Sequence, residues 1–475
     1  MINKVTHKWR GISVEAKASM AFVIATFFTR GIGFITTPIF SRLMSTSEYG
    51  EMANYNSWIS ILEPIVILGL TSAGVFSVGL NEYRDSRKQY MSSMLGLCNA
   101  VTIIIFGFIY ALNLLGMSFN IVSDPLMLLM IIHFLFSPAQ IFWITKQRYE
   151  YKYKSAVVIT ILSIVLSQSF ALYAVIQLNG NKAVNRLWGA EIGSFIVYIF
   201  IYIYLIYTGK TYIKLSYWKN IFMFAIPLIP HYIAQHIMAN SDRIMLVNIK
   251  DESSAGIYSL VANLGTIAFI IWNSINASLI PYTYEKMNAY DYKSIDKTIR
   301  TVLFPYAILC IFVSLIAPEI VWILAPKEYY SGIVIVPCFT VIAFVQALYN
   351  VFANIEFYYK KSLYISISTI VATIINIGLN LLLIPQYDFA GASYATLIST
   401  ILLVLFHYIG MRKCLGENKL YSVGKIMAIF AICAVGSFCC NLLYLNNVIR
   451  YFLIFIIIIA AFFSRKRIMS FWKKK

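Results

Sequence analysis

Apolar stretches about as long as a bilayer is thick recur along the chain, separated by short polar breaks. A helix needs about 20 apolar residues to cross the hydrocarbon core. By that length the pattern predicts fourteen spans, at 18–43, 53–80, 90–117, 122–146, 154–178, 184–208, 219–248, 254–281, 299–325, 332–358, 362–385, 389–412, 424–445 and 449–464. Aromatic residues such as Tyr49, Trp58, Tyr83, Tyr149, Tyr207, Trp218, Tyr282 and Tyr358 lie towards their ends, as interfacial belts do. The breaks are short and leave no room for a soluble catalytic domain. The expected fold class is therefore an all-α polytopic membrane protein of about 14 transmembrane helices.

Charge orients these spans. Of 38 Lys and Arg, 30 fall in alternate breaks: near the N-terminus (Lys4, Lys8, Arg10, Lys17), around 84–88, 146–154, 210–219, 286–300, 360–361 and 412–425, and beyond 465. The other breaks hold only Lys182, Arg186, Lys250, Lys327 and Arg450. Short loops rich in Lys and Arg remain cytoplasmic, so both termini are expected inside. The net charge of +18 would suit nucleic acid, but dispersal over many loops assigns it to orientation and anionic-lipid contact instead. Charged residues make up 12% and hydrophobic ones 60% of the chain, against about 25% charged for a soluble domain. A water-soluble protein is excluded on composition. The seven Cys show no metal-ligand spacing and read as small apolar helix residues. The first span reads as an uncleaved anchor.

The chain also reads as duplicated. Glu150-Tyr-Lys-Tyr-Lys-Ser155 precedes span 5, and Glu356-Phe-Tyr-Tyr-Lys-Lys-Ser362 precedes span 11. Ser41-Arg42-Leu43-Met44 with Ser47-Glu48-Tyr49-Gly50 closes span 1; Asp242-Arg243-Ile244-Met245 with Ser254-Ala255-Gly256-Ile257-Tyr258 closes span 7. An offset of six spans gives both copies one orientation and predicts a pseudo-two-fold axis along the membrane normal. The expected organisation is a cytoplasmic N-terminus (1–17), a six-helix lobe (18–208), a cytoplasmic linker (209–218), a second lobe (219–413), two additional helices (414–464) and a basic cytoplasmic tail (465–475). Span 14 is apolar all round and should face lipid.

Polar faces inside the spans mark a wet cavity or an interhelical contact. Thr26, Arg30, Gly33, Thr37 and Ser41 share one face of span 1. A mid-depth Arg30 is costly unless solvated or paired, and Glu63, on a face with Asn56 and Ser60, is its expected partner. Span 7 carries Pro227 and Pro230, which should kink it. One of its faces holds His231, Gln235 and Asp242, the other His236, Asn240 and Arg243. His231 is either a proton relay or a hydrogen-bonded packing residue; Asp242 and Arg243 either gate the outer side or pair with neighbouring helices there. Thr369, Thr373, Asn376 and Asn380 form a third face, lining a cavity or packing between helices. Glu191, Glu319 and Glu356 fall near span ends, where water should reach them. No nucleophile elbow, zinc-binding pair or phosphate-cradling loop is present in the sequence.

Three segments carry a family resemblance: Arg30-Gly-Ile-Gly-Phe-Ile-Thr-Thr-Pro38-Ile-Phe-Ser-Arg42-Leu-Met with Glu48-Tyr49-Gly50; Ser241-Asp242-Arg243-Ile-Met-Leu with Ala255-Gly256-Ile257-Tyr258; and Asn376-x-x-x-Asn380-Leu-Leu-Leu-Ile384-Pro385-Gln386-Tyr387 leading to Gly391-Ala392-Ser393-Tyr394-Ala395-Thr396. In order and spacing, over about 18–412, they resemble the Wzx-type O-antigen flippase branch of the MOP exporter superfamily, which also contains MATE drug exporters. The resemblance implies two six-helix lobes around a central, partly cationic cavity that alternates between membrane faces. It also implies transport of an undecaprenyl-diphosphate-linked oligosaccharide, the repeat unit of O-antigen or a related polysaccharide, across the bacterial inner membrane from cytoplasmic to periplasmic leaflet. Partners would be that lipid, the bilayer and other polysaccharide assembly proteins, with no nucleic acid.

Arg30, Thr26, Thr37, Asn376 and Asn380 are then the expected cavity residues. Glu63, His231, Asp242, Arg243 and Arg42 are the expected coupling or gating residues, with coupling to H+ or Na+ left open, and no catalytic or metal-ligating residue is expected. Twelve spans are common in this branch, so the last two are a departure. The alternatives are a cation-coupled, MATE-like exporter of small amphipathic molecules and a membrane glycan polymerase or transferase.

Overall fold

The computed structural model describes residues 14–70, 75–116, 121–226 and 229–473, and among these every regular element is a helix. The first seven are α1 (Val14–Leu43), α2 (Thr46–Val66), α3 (Val75–Glu82), α4 (Arg87–Leu114), α5 (Asp124–Tyr149), α6 (Tyr153–Gln177) and α7 (Lys182–Gly209). Span 7 is described as α8 (Leu215–Ala225) and α9 (Ile229–Ile249); Pro230 lies in the first turn of α9, and Pro227 lies outside the described residues. There follow α10 (Glu252–Asn288), α11 (Tyr292–Leu315), the short α12 (Ala317–Leu324), α13 (Val336–Tyr358), α14 (Ser362–Leu415), α15 (Val423–Leu443) and α16 (Asn447–Lys473). α14 comprises spans 11 and 12, separated by a break at Asp388 (φ 54°, ψ −137°) three residues after Pro385. Each predicted span contains helix among its described residues, span 2 as α2 and α3 on either side of a turn at 67–70 and span 9 as α11 and α12. Among the described residues, ten helices are individually long and apolar enough to cross a membrane.

The chain divides into two compact units, 1–240 and 241–475. The division falls inside α9. α8, which begins within the segment 209–218, is bonded within the first unit. Trp218 Nε1 donates to Ser93 O (2.9 Å), Tyr217 OH donates to Ser86 Oγ (2.8 Å), and Asn220 Nδ2 donates to Tyr83 OH.

The two additional helices are bonded to the rest of the second unit. α15 contributes Ile426, Ile429 and Cys433 to the second unit's core, beside Trp272, Tyr306 and Phe344. Tyr306 OH donates to Ala268 O (3.1 Å), so the buried phenol is satisfied. Ser422 N and Oγ, just before α15, donate to Asp296 (2.8 Å each), Tyr444 OH just after it donates to Ser314 O (2.8 Å), and Arg450 pairs with Glu319 (2.5 Å). α16 turns Phe452, Phe455 and Ile458 outward, the surface expected of a lipid-facing helix.

Each unit repeats the same turns. After α5, Lys152 N donates to Gln147 O (2.8 Å) and Tyr151 N to Arg148 O (3.2 Å), with Tyr151 at φ 55°. After α13, Lys361 N donates to Glu356 O (2.9 Å) and Lys360 N to Phe357 O (3.0 Å), with Lys360 at φ 57°. Both are Schellman closures that satisfy terminal carbonyls. The repeat seen in the sequence is therefore a repeat of backbone geometry, although Gln147, and not Glu150, occupies the place of Glu356.

Candidate functional site

The corner between α1 and α2 shows what the Ser-Glu-Tyr-Gly motif does. Ser45 caps α2 by accepting from Glu48 N (3.2 Å), while its own N–H donates to Glu48 Oε2 (2.8 Å). This reciprocal box satisfies two orphan donors. Glu48 Oε1 also accepts from Lys182 N (2.8 Å), and Lys182 Nζ donates to Leu43 O (2.7 Å). One carboxylate thus joins the corner to the start of α7. Arg186 lies over the Phe40 ring at 3.8 Å and locks the same corner.

On α1 the expected cavity residues are arranged by the helix itself. Thr26 Oγ1 donates to Phe22 O (2.9 Å) and Thr37 Oγ1 to Gly33 O (2.8 Å). Both keep hydroxyl acceptor capacity, and Thr26 is exposed. Arg42 is exposed and bonds Pro38 O (2.8 Å). The Arg30 side chain lies outside the described residues, and with it the expected pairing to Glu63, which is half-buried on α2.

The second unit gathers the other expected residues around Asp242, which is 2% exposed. Its Oδ1 accepts from Asn380 Nδ2 (2.6 Å); its Oδ2 accepts from Thr396 Oγ1 (2.6 Å) and Tyr258 OH (2.5 Å). Asn376 Oδ1 accepts from Ser241 Oγ (3.2 Å) and Asn380 Nδ2 (3.3 Å), and its Nδ2 donates to Ser399 Oγ (3.2 Å). Asn380 Oδ1 is buried with no partner. The result is a carboxylate in a cage of neutral hydroxyls and amides, with one carbonyl oxygen left open. Such oxygen donors suit a proton or a hard cation.

Asn376 and Asn380 are fully buried and bonded into the Asp242 network, while Thr369 and Thr373 on the same face are buried and donate to Ile365 O and Thr369 O of their own helix. Asp242 is likewise interior, bonded to α10 and α14. Arg243 is half-buried, its guanidinium 5.7 Å from the Tyr258 ring centre. His231, in the first unit, has its ring 5.6 Å from that of Tyr232.

Sequence reasoning missed Tyr258 and Thr396 as members, although both stand in the quoted motifs. It also missed two His–Glu pairs. His407 Nδ1 meets Glu356 Oε2 at 2.5 Å, both side chains wholly buried. His133 Nδ1 meets Glu191 Oε2 at 3.0 Å, with 23% and 12% of the side chains exposed. Glu356 lies in the last turn of α13 but its side chain is wholly buried, and Glu191, nine residues into α7, is only 12% exposed. For Glu191 the signal was available, because an ionisable residue well inside a span marks function or a partner.

Fold and site together define an all-helical, multi-pass membrane protein with the architecture of MOP-superfamily transporters. A family model described as "Polysaccharide biosynthesis protein" matches residues 16–287, and the chain belongs to that family. A Haemophilus influenzae Lsg-locus protein is 22% identical over 408 residues, covering 82% of this chain and 96% of its own. An uncharacterized membrane protein of the same organism is 21% identical over 381 residues, 76% and 88%. Among solved structures, the lipid II flippase MurJ in an inward closed conformation matches with TM-score 0.69 at 16% identity, over 94% of this chain and 100% of MurJ. An inward-facing multidrug resistance MATE family transporter of the MOP superfamily matches with TM-score 0.56 at 12% identity, over 89% and 96%.

Proposed function

We propose that this protein is a flippase that moves an undecaprenyl-diphosphate-linked oligosaccharide from the cytoplasmic to the periplasmic leaflet of the bacterial inner membrane. The observation that carries this reading is membership of a polysaccharide biosynthesis family by a chain built of membrane-spanning helices with short connections. What such a protein can contribute to polysaccharide assembly is passage across the bilayer. A diphosphate does not enter hydrocarbon with its charge exposed. Arg30 offers it a planar, permanently charged fork that grips two phosphate oxygens. Thr26 and Thr37, on the same face, give hydroxyls to the sugars, and the lipid tail remains in the bilayer. Alternating access moves the head group, and both chain termini stay in the cytoplasm.

The Asp242 cage is the coupling site in this reading. A proton or sodium ion bound at the carboxylate removes a buried negative charge and leaves its hydrogen-bond donors to rearrange. Asn376 and Asn380 serve that site and not the glycan. Coupling of this kind would serve a cation-driven exporter of small molecules equally well, and the charge of the cargo separates the two readings.

The test follows export in four variants alongside membrane abundance. Arg30→Ala should abolish movement of the diphosphate-linked glycan with insertion intact, and Arg30→Lys should retain part of it. If Arg30 is only the partner of Glu63, either single change to Ala leaves a charge unpaired and abundance falls. The double change Arg30→Ala/Glu63→Ala then restores protein and activity. Full export by well-inserted Arg30→Ala would end the phosphate-binding role.

A further inference from the structure

The interior of the first unit holds a titratable layer that the proposed function does not use. Tyr55 on α2, His133 on α5 and Glu191 on α7 each stand nine positions after the first residue of their helices. At 1.5 Å per residue they share a depth of about 13 Å from those ends. Tyr198 on α7 and Glu63 on α2 form a second layer, sixteen and seventeen positions in, about 25 Å deep on the same count.

The sequence places Glu191 in this layer through its neighbours. Gly189 and Gly193 lie on the α6 side of α7, where a Cβ would come within 2.6 Å of Phe170 O or 2.5 Å of Leu166 O. Glu191 is two residues from each glycine, about 200° round the helix, and so is turned away from α6 towards α5 and α2. There it meets His133. Glu191 Oε1 is buried without a partner, and the imidazole stands edge-on to the Tyr198 ring at 6.4 Å. The charged groups acting on His133 among the described residues are Glu191 and Glu63; Tyr55 acts on Glu191 in turn.

We propose that the His133–Glu191 pair, with Glu63 behind it, is a proton-binding site of the N-terminal unit that exchanges one proton during transport. Histidine is the side chain whose ordinary titration falls between about pH 5 and 8. Here it is held against one carboxylate and within range of a second. Binding one proton at the imidazole takes the three groups from two negative charges to one, which favours entry of an anionic head group beside Glu63. Releasing it restores the second charge and expels the head group. The His407–Glu356 pair shows the contrast. Both of its side chains are fully buried, so water has no route to them, and it is left as a structural pair. The proposal deepens the flippase reading by naming a coupling ion for the first unit, and its first test does not depend on that reading.

The first test is a pH titration of full-length protein carrying isotope-labelled histidine, read by NMR. The chain has only five histidines, and the resonance missing in His133→Asn identifies the one of interest. We expect that imidazole to titrate between pH 5 and 9, and Glu191→Gln to displace its midpoint by about one pH unit. An imidazole at position 133 that keeps one protonation state throughout, or a midpoint indifferent to Glu191→Gln, overturns the proposal. His133→Gln serves as a second assignment variant if the Asn variant folds poorly.

The second test uses proteoliposomes carrying a fluorescent polyprenyl-diphosphate oligosaccharide. If one proton moves per lipid, a one-unit pH gradient shifts the lipid's distribution about tenfold, and His133→Asn abolishes that shift. Lipid movement that ignores the gradient in the wild type sinks the coupling. No lipid movement under any condition speaks against the flippase reading, while the titration still decides the proton site.

Discussion

Replacing Asp242 separates two consequences of the buried cage. Asp242→Ala removes the acceptor for three donors at once, those of Asn380, Thr396 and Tyr258. A buried donor left without a partner costs about 1–3 kcal/mol. Of the three, Asn380 retains a second donor bond, to Asn376 Oδ1 at 3.3 Å, while the Thr396 and Tyr258 hydroxyls lose theirs. The net loss should therefore be nearer about 2–5 kcal/mol than the full sum. Asp242→Asn is milder. Its Oδ1 can still accept from Asn380, and its amide can donate to the Thr396 and Tyr258 hydroxyls, which accept as readily as they donate. That variant should lose no more than about 1–2 kcal/mol but cannot carry the charge that attracts a cation. Thermal unfolding in detergent, followed by size-exclusion fluorescence in sodium and in choline at two pH values, reads both effects. Asp242→Ala should melt well below wild type. Asp242→Asn should melt close to wild type and lose any dependence on sodium or pH that the wild type shows at this site, along with transport. An Asp242→Ala protein as stable as wild type would contradict the hydrogen-bond network; an Asp242→Asn protein with wild-type transport would contradict the coupling role.

Other outcomes follow from the same geometry. Gly193→Val pushes a branched side chain against Leu166 O and the Ser167 Cα, 2.5 and 2.8 Å from the added Cβ; it should cost at least about 1–3 kcal/mol by overpacking, and an unchanged melting temperature would refute the close α6–α7 approach. At the turn after α5, burial pushes Glu150 up, but the bond from Lys152 and the charges of Lys146, Lys152 and Arg87 outweigh it and hold the carboxyl below its ordinary value. A lowered folded-state value gives stability that is present above the unfolded value and disappears as pH falls through the folded one. Glu150→Gln should therefore narrow the stability difference between pH 7 and pH 3, and equal acid sensitivity in both proteins would remove Glu150 from that account. Reporter fusions after residues 85, 213, 291 and 417 should report cytoplasm and those after 119, 251 and 388 periplasm, and a systematic inversion would reverse the orientation drawn from Lys and Arg.

The helical spans were legible because the bilayer imposes a length. Any helix crossing it needs a long run of apolar residues, and that requirement is written locally, one segment at a time. The repeated motifs marked corners that local contacts build: Ser45 with Glu48, and Asp251 before Ser254, cap helices by contacts three residues apart, although neither cap was itself read from the sequence. The break at Asp388 was not legible from Pro385: it lies three residues past that proline, whereas a proline disturbs the turn before it.

Tertiary structure decided what met across helices. A polar face at helical spacing reads the same whether it lines water or packs against another helix, and only the arrangement of α9, α10 and α14 shows that Asn376 and Asn380 are enclosed with Asp242. His133 and Glu191 lie 58 residues apart, and their contact depends on two glycines that turn α7 against α6. The same holds for the last two spans. Their composition reads as apolar helix, while the bonds of Ser422, Tyr444 and Arg450 to α11 and α12 build them into the second unit. Sequence by itself determined the helical class and the residues too polar for their depth, because each of those costs is incurred within one helix. Which of those residues would share a cage, and which would stay partly exposed, depended on packing between helices far apart in the chain.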